Sequence, residues 1–365
     1  MNGYFQRRLM NTNETVNVAL IGYGYAGKTF HAPLIKGIPD FELKVVVSSD
    51  AKKVQTDLPD VSVCASHDQV FSDENLDLVV IATPNDTHFD LAKRALQTGK
   101  HVVVDKPFTT TCEEAEELIE LARARELLLS VFHNRRWDAD FLTLRKLLAE
   151  GVLGDVMHFE SHFDRYRPEV RQRWREQAGV GSGIWFDLGS HLLDQTLQLF
   201  GEPESIQADL EQQRDGAQTV DFFHVILRYG KMRAILHASA LVAAESPRFT
   251  VHGKLGSYVK FGLDTQEEAL KRNDDVKGDD FGKDPRAGTL TVSTAPPGDA
   301  PCHEVTRETE RGNYLAYYSG IRDAITKGAS NPVPAEDALN VMRLLALGCK
   351  SSEAKRLMSF SSEAC

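Results

Sequence analysis

The segment Val18–Pro33, VALIGYGYAGKTFHAP, constrains this chain more than any other. Val18 to Ile21 form a short apolar run of the buried-strand kind. Gly22, Gly24 and Gly27 follow as G-x-G-x-x-G, ahead of residues that suit the first turns of a helix. Strand, glycine turn and helix in that order are the fingerprint of a dinucleotide-binding fold. Gly22 permits the tight turn. Gly24 has no Cβ, so a pyrophosphate can approach the backbone, and Gly27 lets the helix pack close to the strand. The unpaired N–H groups and the positive dipole end of the helix then face the phosphates. Tyr23, Tyr25 and Ala26 lie between these glycines and join them as candidate cofactor contacts.

From Val16 to Phe132 short apolar runs alternate with helical patterns. The runs are Leu43–Val47, Leu78–Ala82, His101–Val104 and Leu127–Phe132, and the helical patterns include Phe89–Thr98 and Glu113–Arg125. Such alternation predicts an α/β unit with a doubly wound parallel sheet, whose ligands sit at the carboxyl ends of the strands. After Asn134 the texture changes to long alternating strands with few helices, among them Val156–Phe163, Ser205–Gln213, Val220–Tyr229, Met232–Ala243, Arg248–His252 and Ser257–Phe261. That pattern predicts an α+β unit with a large, open, mostly antiparallel sheet. Asp264–Asp284 is polar and charged and reads as an exposed loop. At 365 residues the chain is too long for one core. The expected division is a disordered tail over 1–14, with Met10 as a candidate start, a nucleotide-binding domain over 15–133 and a second domain over 134–365.

Candidate site residues follow the strand ends. After the second strand the order is Ser48-Ser49-Asp50-Ala51-Lys52-Lys53. An acidic residue near this place bonds the ribose 2′-hydroxyl of NAD. With Ser49 in that position nothing repels a 2′-phosphate, the serines donate hydrogen bonds and Lys53 or Lys52 adds charge, so the reading favours NADP(H). A strand longer by one residue puts Asp50 there instead and favours NAD(H). After the fourth strand come Thr83, Pro84, Asn85 and, three residues on, His88, which is either a pocket residue or a capped surface histidine. After the fifth come Lys106 and Pro107, placed where a nicotinamide ring belongs, and an ammonium there stabilises an alkoxide.

A second cluster is GIWFDLGSHLLD, residues 183–194. Asp187 and His191 are four residues apart and share one face of a helix, with Asp194 extending it. A carboxylate beside an imidazole raises its pKa and orients it as a general base. No third ligand stands at recognisable spacing, so no metal centre is expected.

These motifs together resemble the Gfo/Idh/MocA family of oxidoreductases. GYGYAG, TPNDTH, DKP in place of the usual EKP, and D-x-G-x-H carry the resemblance over nearly the whole chain. GKTFHAPL, VFHNRRWDADFLTL, RYRPEVRQRWRE, DLGSHLLDQ and GNYLAYY are similar to a narrower group, the NADP-dependent scyllo-inositol dehydrogenases and related enterobacterial oxidoreductases. The resemblance implies that Lys106, Asp187 and His191 form a catalytic triad and that the Lys106–Pro107 peptide is cis. It also implies that Trp174 and Arg175 approach the nicotinamide, with Arg136 and Trp137 as lesser pocket candidates, and that the second sheet pairs subunits into a homo-oligomer. Asp105 for glutamate shortens one carboxylate.

The implied function is transfer of hydride between NADP(H), or NAD(H), and a secondary alcohol of a cyclic polyol or sugar. Two alternatives stand beside it: non-redox glycosidase or lyase chemistry on bound NAD, and a non-enzymatic nucleotide sensor. A formal net charge of −11 argues against nucleic-acid and anionic-membrane partners. No apolar run approaches the roughly 18–20 residues of a membrane span. Cys64, Cys112, Cys302, Cys349 and Cys365 form no C-x-x-C pair, which predicts reduced thiols in a cytoplasmic protein.

Overall fold

The computed structural model describes residues 15–172, 176–179, 181–293 and 302–361. Six strands form the first sheet: β1 (Val16–Ile21), β2 (Phe41–Val47), β3 (Ser62–Cys64), β4 (Leu78–Ile81), β5 (His101–Val104) and β6 (Leu129–Val131), in the order β3-β2-β1-β4-β5-β6. Every pair is parallel. β4 is buried at every residue, as a central strand covered on both faces must be. The order reverses between β1 and β4, so the ends of these two strands flank the crevice in which such sheets bind ligands. The helix Cys112–Ala124 shows why its boundary falls where it does. Thr111 accepts the Glu114 N–H, Glu114 reaches back to the Thr111 N–H, and Glu113 and Glu114 occupy the dipole-favoured first turn.

The second sheet has nine strands: β7 (Val156–His162), β8 (Ser205–Glu211), β9 (Phe222–Tyr229), β10 (Met232–Ser239), β11 (Pro247–Gly253), β12 (Gly256–Phe261), β13 (Gly288–Ser293), β14 (Cys302–Arg307) and β15 (Met358–Ser359). Their order is β14-β13-β12-β11-β7-β10-β9-β8-β15. All neighbours are antiparallel except β7 and β10, which run parallel in the middle. Alternation along β9 and β10 puts Phe223, Val225, Leu227, Ala234 and Leu236 in the core and leaves the opposite face half-exposed.

One departure from the sequence reading concerns burial. Asp264–Asp284 is not simply an exposed loop. It contains the helix Gln266–Lys271 and buries Asp264, Gln266, Leu270, Phe281 and Asp284. The reason is partnership: Asp284 takes the ammonium of Lys260 at 2.9 Å, and both side chains are fully buried. Cys64, Cys302 and Cys349 are free.

The chain's last helices tie the sheets together. Tyr314, Tyr317, Tyr318 and Ile321 pack into the core of the first sheet. The helix Ala335–Ala354 gives Leu339 and Met342 to that core, and Val341, Leu344 and Leu345 to the core of the second. Among the described residues no helix is long and apolar enough to cross a membrane.

Because Lys260 lies on the apolar side of β12, removing its partner leaves a buried charge. Asp284→Asn is expected to lower stability by about 3–5 kcal/mol in denaturant titrations. Lys260→Met combined with Asp284→Leu should restore most of it.

Candidate active site

The glycine turn has the shape its sequence calls for. Gly22 has φ +98°, and a Cβ there would run into the carbonyl of Ala82 at the end of β4. A Cβ on Gly27 would run into the carbonyl of Gly22. Around Gly24 nothing lies within 4 Å of that position, so the turn is closed on two sides and open on the third. A helical stretch starts directly after it, as a π-helical turn Gly27–His31 continuing into Ala32–Gly37. Ala26 packs against the core. The phenol of Tyr23 lies 3.3 Å from the Asp57 carboxylate, and that of Tyr25 donates to Glu267 Oε1 at 2.8 Å.

The next strand ends at Val47, which leaves Ser48 half-buried and Ser49 exposed beside the turn. Asp50 is occupied locally: its Oδ1 accepts the Lys53 N–H at 3.0 Å and caps the helix Ala51–Asp57. Lys53 folds back, and its Nζ donates to the Tyr23 carbonyl at 3.0 Å. Ser48, the capping Asp50 and the Lys53 ammonium therefore lie together at the carboxyl end of β2.

Beyond β4, Thr83 and Thr87 share a 2.6 Å hydroxyl contact, and Thr87 donates to the Pro84 carbonyl. The Asn85 amide is buried, and its Nδ2 has no partner among the described residues. His88 is corrected from pocket residue to latch. It is fully buried, with Nε2 3.0 Å from the Thr83 carbonyl and Nδ1 2.9 Å from that of Pro107. Its ring nitrogens are thus spent on holding two loops in register.

Lys106 follows β5, its peptide to Pro107 is cis, and its own N–H donates to Asp105 at 2.8 Å. Burial disfavours the Asp105 carboxylate, yet His31 and Lys106 outweigh that and hold its pKa below the usual range. The Lys106 ammonium crosses to the second unit, donating to Asp187 Oδ1 at 2.8 Å and to the Asp187 carbonyl at 2.7 Å. Asp187 sits in a π-helical turn, Trp185–Gly189, that runs into the helix Ser190–Phe200 carrying His191.

His191 is 6 % exposed, and its Nδ1 has no partner among the described residues. Burial first, then the charges of Lys106 and Arg135, push its pKa well below the ordinary histidine value. This corrects the expectation of a raised imidazole pKa. Asp187 spends its negative charge on Lys106, and the surroundings of His191 are cationic. Asp194 does not extend the Asp187–His191 face toward the site. Its carboxylate is held by Arg136, with Nε–Oδ2 3.0 Å and Nη2–Oδ1 2.6 Å, and Arg136 also reaches Asp337 at 2.9 Å. Trp137 packs edge-on against Tyr317.

Trp174 and Arg175 lie outside the described residues. Sequence reasoning passed over Arg165 and Arg167, which line a small cleft with Asp187, although the RYR string that carries them was in view. It also passed over Arg135. That guanidinium reaches Glu267 at 2.8 Å, and Glu267 in turn accepts from Tyr25, so the glycine turn is tied to the second unit.

Residues 16–133 match the oxidoreductase family's NAD-binding Rossmann fold, and residues 145–360 match its C-terminal alpha/beta domain. The chain belongs to the Gfo/Idh/MocA oxidoreductase family. Within it, the chain is 58 % identical to the uncharacterised oxidoreductase YdgJ of Escherichia coli over 93 % of its own length and 97 % of that protein. It is 40 % identical to the scyllo-inositol 2-dehydrogenase (NADP(+)) IolW of Bacillus subtilis, over 94 % and 95 %. The solved structure of YPO2259 from Yersinia pestis, 54 % identical, superposes with a TM-score of 0.92 over 96 % of this chain and 99 % of that one. The Gfo/Idh/MocA oxidoreductase described here is thus an NAD-binding Rossmann unit joined to a mixed, mostly antiparallel nine-stranded sheet.

The glycine geometry separates fold from binding. Gly27→Ala is expected to lower the Tm, since backbone must move, while Gly24→Ala should keep the Tm and weaken dinucleotide binding, read by thermal unfolding and nucleotide titration. The depressed His191 pKa keeps the imidazole neutral well into the acid range. kcat/KM for alcohol oxidation, which reports the free enzyme, should be flat from neutrality upward. It should fall only below the ordinary histidine value of 6.5. A titration limb centred above that value would contradict the assignment.

Proposed function

We propose that this oxidoreductase moves hydride between NADP(H) and a secondary alcohol or ketone of a cyclic polyol or sugar, inositol-like in type. The observation that carries the reading is the Lys106–Asp187 contact beside the neutral, buried His191, just past the carboxyl end of β5 in the sheet that carries the open glycine turn. Lys106, Asp187 and His191 are assigned as the catalytic residues. The nicotinamide, when bound, supplies the hydride acceptor.

The chain's own residues supply the rest. A neutral imidazole has a lone pair ready for the hydroxyl proton, so His191 acts as general base. The Lys106 ammonium donates to the same oxygen as negative charge develops on it. Asp187 fixes that ammonium from its far side and keeps its charge local. Gly22, Gly24 and Gly27 hold the pyrophosphate at the helix start. Arg165 and Arg167, beside Asp187, suit the hydroxyl-rich face of a polyol. Assignment of Ser48, Ser49 and Lys53 to the 2′-phosphate is supported by the capping role of Asp50 and by the NADP-dependence of the similar IolW. A homo-oligomer formed through the half-exposed outer face of the second sheet, in the cytoplasm, completes the proposal.

His191→Ala should lower kcat by roughly 10²–10⁴-fold. Lys106→Met should lower it by roughly 10²–10³-fold. Neither should greatly weaken NADPH binding. A His191→Ala enzyme keeping more than about a tenth of wild-type kcat on a confirmed polyol would remove His191 as the base. For the cofactor, kcat/KM is measured with NADP and NAD. Wild type should prefer NADP, and Ser49→Asp should shift the ratio toward NAD. A preparation that retains its nucleotide and shows no net turnover with any inositol or aldose would point to non-redox chemistry instead.

A further inference from the structure

The outer face of the second sheet carries a row of histidines that the proposed redox chemistry does not use. His158, Glu160, His162 and Asp164 alternate along and just past β7, on the side away from Phe159, Ser161 and Phe163. β10 runs parallel beside β7 with His237 directly opposite His162. His162 Nδ1 lies 3.2 Å from Asp164 Oδ2, and His237 Nε2 lies 3.5 Å from Asp164 Oδ1. One ligand-type atom from each of the three lies within 4.8 Å of the other two.

We propose that His162, Asp164 and His237 form a binding site for a first-row divalent transition ion of the zinc type. Three observations carry it. The first is size. Zinc bonds of about 2.0–2.1 Å to nitrogen and oxygen, arranged tetrahedrally, set ligand atoms about 3.3–3.4 Å apart, and the separations of 3.2 and 3.5 Å, each to one oxygen of the Asp164 carboxylate, lie close to that edge. The second is the surrounding shell. A metal-bound imidazole normally gives its other ring N–H to a carboxylate. Here the far nitrogen of His162, Nε2, faces Glu160 Oε2 at 3.2 Å, and Glu160 is itself held by His158 Nε2 at 2.8 Å. Asp164 is fixed in turn, because its Oδ1 accepts the Ser239 N–H at 3.1 Å.

The third is access. A cavity of about 880 Å³ is lined by His162, Asp164, Glu245 and Ser246, so a fourth position has room for water or a small donor. Two imidazoles and a carboxylate select a transition ion over magnesium or calcium, which take oxygen ligands. The ion clips β7 and the residues just past it to β10, independently of the nicotinamide site.

The test uses the full-length protein, stripped with a chelator and titrated with Co²⁺ as a spectroscopic probe. One equivalent per chain should give the strong visible bands of four-coordinate cobalt, and Zn²⁺ should abolish them. His162→Ala and His237→Ala should each weaken binding by at least about 100-fold, and Glu160→Gln by about 10–100-fold, the usual effect of losing a ligand's carboxylate partner. His224→Ala and His252→Ala, on the same face, should bind as wild type. Circular dichroism checks the fold of each variant, and Asp164→Asn replaces any alanine variant that unfolds, with the same expected loss. No four-coordinate spectrum, or equal affinity in wild type, His237→Ala and Asp164→Asn, overturns the proposal. Equal losses in His224→Ala and His252→Ala overturn it too, by showing scattered surface-histidine binding.

Discussion

The contact on which the site depends is the ion pair between Lys106 and Asp187, with Nζ to Oδ1 at 2.8 Å. It joins the carboxyl end of β5 to the helical turn that precedes Ser190–Phe200, residues 81 apart in sequence. Each side is braced separately. Lys106 is backed by Asp105, which pairs weakly with the buried His31 at 3.9 Å. Trp185, two residues before Asp187, is fully buried and donates its indole N–H to the Leu345 carbonyl. Because Leu345 belongs to the helix that serves both cores, the orientation of Asp187 is set by packing rather than by loop chance.

This arrangement decides the electrostatics of His191. Among the cationic side chains around it, Lys106 is neutralised by Asp187 and Arg135 by Glu267, while burial excludes water. The imidazole stays uncharged, the state a proton acceptor needs. The Tyr25–Glu267–Arg135 chain links that environment to the glycine turn, since Tyr25 stands beside Gly24 and donates to Glu267. Burial disfavours the Glu267 carboxylate, but Arg135 leads the contacts that outweigh it and bring its pKa to about 2. The bridge therefore remains ionic from neutral into moderately acid pH.

What was legible in the sequence was what is local. The Gly22–Gly27 turn, Lys106 with its proline, and the Asp187–His191 spacing each carry their geometry within a few residues, and the parallel sheet follows from alternation alone. What was not legible depends on partners far along the chain. Lys260 and Asp284 bury a pair inside a segment that reads as solvated. His88 reads equally well as a pocket or a surface residue until Thr83 and Pro107 are seen to meet it. His162 and His237 are brought together only by the parallel pairing of β7 and β10 inside a sheet that reads as antiparallel. The sign of the His191 shift was misjudged for the same reason, since the adjacent aspartate is in sequence but its lysine partner is not.

The central claim is that His191 is held neutral by its burial and by the cationic side chains around it. Nitrogen NMR of the ring-labelled protein, titrated from neutral to acid pH without substrate, measures this directly. The account predicts a neutral-tautomer signal for His191 that persists below the ordinary histidine value of 6.5. An imidazolium signal for His191 at neutral pH would contradict it.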